Sequence, residues 1–207
     1  MSIFRFQAMA CVTLVWAGMW GEAAIAADAP AGIAAACTQR VHPVLIRNEH
    51  NSLAQVVVDA KRAGLQVKQL TFSLRGTDDL ADIDSLRLFY SGDKQPAELD
   101  QIRSGINFLG DRQAVLAGLT GTPFGLLTRP FASVTFDGAQ VLRKGKNVFW
   151  LSCTLRAGAS LDHKVDAHCT AVVTNEGKVA PKDATPGIRK RIGVSLRKYY
   201  DDGVHTS

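Results

Sequence analysis

The stretch Leu70-Thr71-Phe72-Ser73-Leu74 decides the fold class. A large apolar side chain falls at every second position, with small hydroxyl side chains between. That period of two marks a strand with one face buried and the other wet. Outward from it the same rhythm recurs. Val134 and Phe136 alternate with polar neighbours over residues 133–137, and residues 85–90 read as a strand stopped by Ser91-Gly92-Asp93. Residues 41–46 and 55–60 are short and β-branched, 147–155 is the strongest apolar run of the mature chain, and 165–173 completes the set. Only residues 96–106 carry apolar spacings of three and four (Pro96, Leu99, Ile102, Ile106), which predicts one short helix. Many short strands separated by Gly, Asp and Asn turns predict an all-β fold, an antiparallel β-sandwich of jelly-roll type. No repeat of fixed period supports a solenoid or a complete propeller.

The 207 residues are 46% hydrophobic and 21% charged, which excludes a disordered chain, and 18 Gly with 7 Pro exclude a collagen-like one. Residues 1–26 read as a secretory signal. Arg5 precedes an uncharged run over 8–21, and Ala24-Ile25-Ala26 fits the small-x-small pattern of a signal-peptidase site. That run falls short of the roughly 18 to 20 residues that span a bilayer. The expectation is therefore an exported protein, periplasmic or secreted, with no membrane partner after cleavage. Residues 27–40 are Ala-rich and read as a mobile lead-in, and 41–175 as the sandwich. Residues 176–190 (Gly177, Pro181, Pro186, Gly187 and flanking charges) have linker composition. Residues 191–207 open on Ile192, Val194 and Leu196, the start of a strand in a further domain.

The formal charge of +5 divides unevenly. Residues 27–177 carry 16 basic and 15 acidic side chains, whereas 178–207 carry 7 and 3. The excess sits in Arg189-Lys190-Arg191 and Arg197-Lys198, a solvated connector, so nucleic acid is not expected as a partner.

Cys11 leaves with the signal, and Cys37, Cys153 and Cys169 remain. In 165–173 the odd positions, Cys169 among them, form one apolar face, and Cys153 shares a face with Phe149, Leu151 and Leu155. Were these strands neighbours in register, a Cys153–Cys169 disulfide could form; two buried free thiols are the alternative. His168 and Cys169 point to opposite faces and do not grip one ion. Asp166 and His168 share a face, yet without a nucleophile they make no triad. The densest carboxylate cluster, Asp78, Asp79, Asp82 and Asp84, lacks the glycine and distal glutamate of an EF-hand loop. Local turn bonding accounts for such aspartates. Gly118, Gly121 and Gly125 are not followed by Lys-Ser or Lys-Thr, so no phosphate loop is present. No catalytic residue, metal ligand or cofactor site is expected.

Three stretches read together carry a family resemblance. The first is Leu70-Thr-Phe-Ser-Leu-Arg-Gly-Thr-Asp-Asp-Leu-Ala-Asp-Ile-Asp-Ser-Leu-Arg-Leu-Phe-Tyr90. The second is Leu142-Arg-Lys-Gly-Lys-Asn-Val-Phe-Trp-Leu-Ser-Cys153, continued by Val165-Asp-Ala-His-Cys169. The third is Arg191-Ile-Gly-Val-Ser-Leu-Arg197, followed by Asp201-Asp-Gly-Val-His-Thr206. Together they resemble the N-terminal β-sandwich region of bacterial exo-α-sialidases (neuraminidases) with Asp-box, or BNR, repeats, from about Val44 to Thr206.

The resemblance implies a secreted glycosidase that hydrolyses terminal sialic acids from glycoconjugates on a six-bladed catalytic propeller. In that family an Arg-Ile-Pro motif follows the third stretch, and its arginine grips the sialic acid carboxylate. The nucleophile is a tyrosine paired with glutamate, where most glycosidases use a carboxylate. These 207 residues contain no Asp-box, and Tyr199 and Tyr200 lie far upstream of the family's nucleophile position. The resemblance thus implies a sandwich inactive by itself, whose partner is the propeller and, through it, sialoglycoconjugates. A carbohydrate-binding module or an architectural spacer are the alternatives. Trp150 is the single tryptophan of the mature chain, a thin supply for a glycan platform.

Overall fold

In the computed structural model, residues 32–39, 41, 43–93 and 121–194 are described. Its spine is a long antiparallel pair, β3 (Asn51–Ala60) and β8 (Gly145–Leu155). β3 carries the run Val56-Val57-Val58 and β8 the run Val148-Phe149-Trp150-Leu151, bulky side chains that suit a pleated surface covered on both faces. β8 is flanked on its other edge by β5 (Ile83–Tyr90), and β5 by the two-residue β6 (Thr122–Pro123). On the far side β3 pairs with β1 (Ile33–Thr38), and β1 pairs in parallel with β12 (Lys182–Asp183). These six form one sheet.

The second sheet has four strands: β11 (Gly177–Val179), β10 (His168–Thr174), β4 (Gln66–Ser73) and β7 (Ser133–Val141), in that spatial order. The long strands alternate between the two sheets along the chain, β3 to β4 to β5 and then β7 to β8 to β10, as a jelly roll does. A small third sheet joins β2 (Val44–Leu45), β13 (Lys190–Gly193) and β9 (Lys164–Val165). The all-β sandwich expected from the alternation is the fold.

Leu70, Phe72 and Leu74 point inward and are fully buried, as do Val134 and Phe136 across the pair β4–β7. They meet Val56, Val58, Leu86, Leu88, Phe149 and Leu151 from the larger sheet in a single core. Phe72 and Phe136 pack edge to face at 6.1 Å, and Phe149 meets Phe124 in the same manner at 5.4 Å. One strand does not keep its phase. The expected inward face of 165–173 runs through Ala171 to Val173, yet Val172 is the fully buried residue and Val173 is only half-buried. A bulge between Cys169 and Ala171 leaves Thr170 unpaired and flips the strand's faces beyond it.

Described strands also run through three segments that the sequence reading set outside the sandwich. Within the presumed lead-in 27–40, residues 33–38 are β1, with Cys37 fully buried against β3. Its run of alanines lacks a visible period because Ala is neutral in hydropathic pattern, and partner strands supply the order. The presumed linker 176–190 contributes β11 and β12, each paired to the sandwich. Ile192 belongs to β13, which pairs with β2 and β9 in the small third sheet, and residues 195–207 lie outside the described residues. The helix expected over 96–106 lies outside the described residues.

Candidate functional site: a polar junction at one end of the sandwich

At one end of the sandwich β4 leads into β5, β8 ends, and β10 begins, so their loops converge there. The aspartates of residues 78–84 lie in the first of these loops. Asp78 accepts from the Lys164 amide at 2.8 Å, while the Asp78 amide donates to the Lys164 carbonyl at 3.0 Å. Arg189 pairs with the Asp78 carboxylate and donates through Nε to the Gly76 carbonyl at 2.8 Å. The Lys164 amide, then the Arg189 guanidinium, hold the Asp78 carboxyl below its usual range. Asp79 caps a single 3-10 turn (Leu80–Asp82) by accepting from the Ala81 amide at 2.8 Å.

Asp82 is almost buried. Its Oδ2 lies 2.7 Å from His163 Nδ1, and its Oδ1 accepts from the Ser160 amide at 3.1 Å. The hydrogen bond to Asp82 pushes the His163 imidazole above its ordinary value. The Thr77 hydroxyl donates to the Asp166 carbonyl at 3.0 Å and sits 3.1 Å from the Asp166 amide, and Gln39 Nε2 reaches the Asp166 carboxylate at 3.1 Å. The Ile192 amide donates to the His163 carbonyl at 3.1 Å. The net effect is mechanical: the loops around residues 76–82 and 160–166 are tied to each other and to the segment 189–192.

Of the four aspartates, Asp79 and Asp82 converge with His163, their ligand atoms all within 4.8 Å of one another, while Asp84 is exposed and outside that group. Both Asp82 oxygens and one Asp79 oxygen face internal donors, so capping, turn formation and the His163 contact account for the arrangement. Asp166 is half-buried and held by Gln39, and it forms no pair with His168 in the described contacts.

Sequence reasoning missed Gln39, His163 and Arg189 as parts of this junction, because their partners are 81 to 127 residues away. It also missed a Ser-His-Glu alignment elsewhere: Ser152 Oγ stands 3.4 Å from His50 Nδ1, and His50 Nε2 is 4.0 Å from Glu49. Ser152 is 1% exposed, and burial depresses the His50 imidazole, so no substrate carbonyl reaches that hydroxyl. His50 instead packs edge-on against Phe89 at 5.2 Å, and Phe89 stacks on Trp150 at 4.8 Å. Trp150 is 4% exposed and offers no open platform to a sugar ring.

Cys153 and Cys169 are not brought together as neighbours. β8 lies in the six-stranded sheet and β10 in the four-stranded one, and both thiols are free and buried. Cys169 instead meets Cys37, its amide donating to Cys37 Sγ at 3.3 Å.

Comparison with known proteins agrees with this architecture. The chain is 28% identical over 167 residues to a sialidase of Bacteroides fragilis (strain YCH46), covering 77% of this chain and 30% of the relative. It superposes on the solved structure of Hadza microbial sialidase Hz136 with a TM-score of 0.59 at 21% identity, over 77% of this chain and 31% of that one. The chain therefore spans less than a third of the length of the sialidases it matches. Residues 33–178 match the model of the N-terminal domain of BNR-repeat neuraminidase, and that span starts at the first residue of β1 and ends inside β11. The chain belongs to the family of N-terminal domains of BNR-repeat neuraminidases.

Proposed function

We propose that this chain is the non-catalytic N-terminal sandwich of an exported exo-α-sialidase, and that it carries none of the residues that hydrolyse sialic acid. The family match over residues 33–178 carries the reading, joined to the small share of each sialidase that the chain covers. The polar groups gathered at the junction support it, since their hydrogen bonds are spent on tying loops to one another and to the segment 189–192. In this role the sandwich packs beside a catalytic propeller, and the junction fixes where the chain leaves toward it. Hydrolysis of terminal sialic acids from glycoconjugates is the work of the propeller.

A fluorogenic sialoside assay on the 207-residue chain tests this reading. No turnover above buffer is the expected result, and turnover lost on heat denaturation would overturn it. Export rests on the leader pattern of residues 1–26. Among the described residues no helix is long and apolar enough to cross a membrane. Expression with the native leader, followed by N-terminal sequencing of the extracytoplasmic fraction, should give a mature start directly after Ala26.

A further inference from the structure

We infer that Cys37 and Cys169 form a disulfide that ties β1 to β10 across the two sheets, and that Cys153 is the thiol left over. Each cysteine is placed by its own strand. Cys37 is fixed on one side by its register partner Val56 on β3 and on the other by Asp183 on β12, with its carbonyl accepting from the Ala184 amide at 2.9 Å. Cys169 stands opposite Phe72 on β4, immediately before the bulge at Thr170. Sheets packed face to face stand about 10 Å apart, too far for a disulfide between their backbones. At this corner they converge, and residues of β1 and β10 approach within 8 Å, Cα to Cα. The Cys169 amide lies 3.3 Å from Cys37 Sγ, which puts the two sulfurs within a side chain's reach. Their side chains are 0% and 4% exposed and both point into the same core.

Among the described residues no contact joins Cys153 to another sulfur. Cys153 lies on the central strand β8 between Asn51 of β3 and Leu86 of β5, neither of which offers a sulfur. The odd count of cysteines after the leader is thereby accounted for.

The chemistry balances by thiol–disulfide exchange with a disulfide oxidant, a dithiol oxidase or oxidised glutathione. The Cys37 thiolate attacks the oxidant, forming a mixed disulfide and releasing one thiolate. The Cys169 thiolate then attacks Cys37 Sγ, the intramolecular S–S bond forms, and the second thiolate leaves. Two protons and two electrons pass from the cysteines, and the oxidant is reduced to two thiols. Burial pushes the folded Cys37 thiol up to about 11, so the exchange runs while β1 is docking, before the sulfurs are sealed.

The test is refolding of the full chain from reduced, denatured material in a glutathione redox buffer. The product is then alkylated in denaturant and digested without reduction for mass spectrometry. A Cys37–Cys169 cross-linked peptide, lighter than the two free peptides by two hydrogens, with Cys153 alkylated, is the expected result. The oxidised protein should melt about 4 to 15 °C above the same sample reduced with dithiothreitol, since the bridge closes a loop across 132 positions. Cys153→Ala should keep both the cross-link and the shift, and Cys169→Ala should lose both. Alkylation of both Cys37 and Cys169, glutathione adducts alone, or a cross-link containing Cys153 or Cys11 would overturn the inference. The wild-type peptide map decides even where a variant fails to fold.

Discussion

His163 Nδ1 sits 2.7 Å from Asp82 Oδ2, joining residues 81 positions apart in the chain. The bond raises the His163 pKa above the ordinary value of 6.5. Stability from this contact is therefore fully present below about pH 6.5 and is lost as pH rises through the raised folded value. Thermal melts from pH 5.5 to 8.5 should show a declining contribution on the alkaline side. In Asp82→Asn that slope should flatten, and an NMR titration should bring His163 back toward 6.5. Because Asp82 also accepts from the Ser160 amide, the variant should be less stable at every pH, with the larger deficit at the acid end.

Much of this fold was legible because burial in a sandwich is written at period two. Leu70, Phe72, Leu74, Val134 and Phe136 all lie on the face that alternation assigns them. The pattern failed where the structure departs from that period or where partners come from afar. The bulge at Thr170 exchanges the faces of Ala171 and Val172, and no residue there announces it. Ala34, Ala35 and Ala36 look featureless, yet they pair with Asp59, Val58 and Val57 of β3. The junction was half-readable: the aspartates of 78–84 stood out as a cluster, but Arg189 and His163 join them only through the fold. Of the two readings open for Cys153 and Cys169, the structure has the buried free thiols, because β8 and β10 are not the neighbouring strands that their closeness in sequence suggests.

Asn147 is fully buried on β8 and organises five contacts. Its Oδ1 accepts from the Tyr90 hydroxyl at 2.9 Å and the Arg143 amide at 3.0 Å. Its Nδ2 donates to the carbonyls of Arg143 and Gly145 at 2.8 and 2.9 Å, with a longer contact to Val58 at 3.5 Å. Asn147→Ala leaves these groups without their partner and should cost about 2 to 4 kcal/mol in urea unfolding. Tyr90→Phe removes one donor while Arg143 still satisfies Oδ1, so about 0.5 to 1.5 kcal/mol is expected.

Gly125 has φ of +74°, and a Cβ placed there would stand 2.6 Å from the carbonyl oxygen of Asp137 in β7. Gly64 has a similar φ of +86° with nothing within 4 Å. Alanine at either position meets the left-handed backbone penalty of about 1 to 2 kcal/mol. Only Gly125→Ala must also displace a strand backbone. Its loss should exceed that of Gly64→Ala by at least about 1 kcal/mol in parallel denaturant titrations.

Phe149 lies at the centre of the larger sheet's inner face, fully buried, with Tyr90 at 5.0 Å and Phe124 at 5.4 Å between ring centroids. Phe124 reaches it from the segment that follows β6, so one ring links the sheet to the connection running toward β7. Phe149→Ala removes the ring and opens a cavity that neighbouring strands cannot close, because β3 and β5 are paired to β8 along most of its length. The expected loss is about 3 to 5 kcal/mol, read from the urea midpoint at unchanged slope. Phe131, 63% exposed, provides the comparison at constant chemistry: Phe131→Ala should stay within about 0.5 kcal/mol of the parent. A large loss at Phe149 with little at Phe131 would place the stability of the domain in the contact between the sheets, where alternation puts the large side chains.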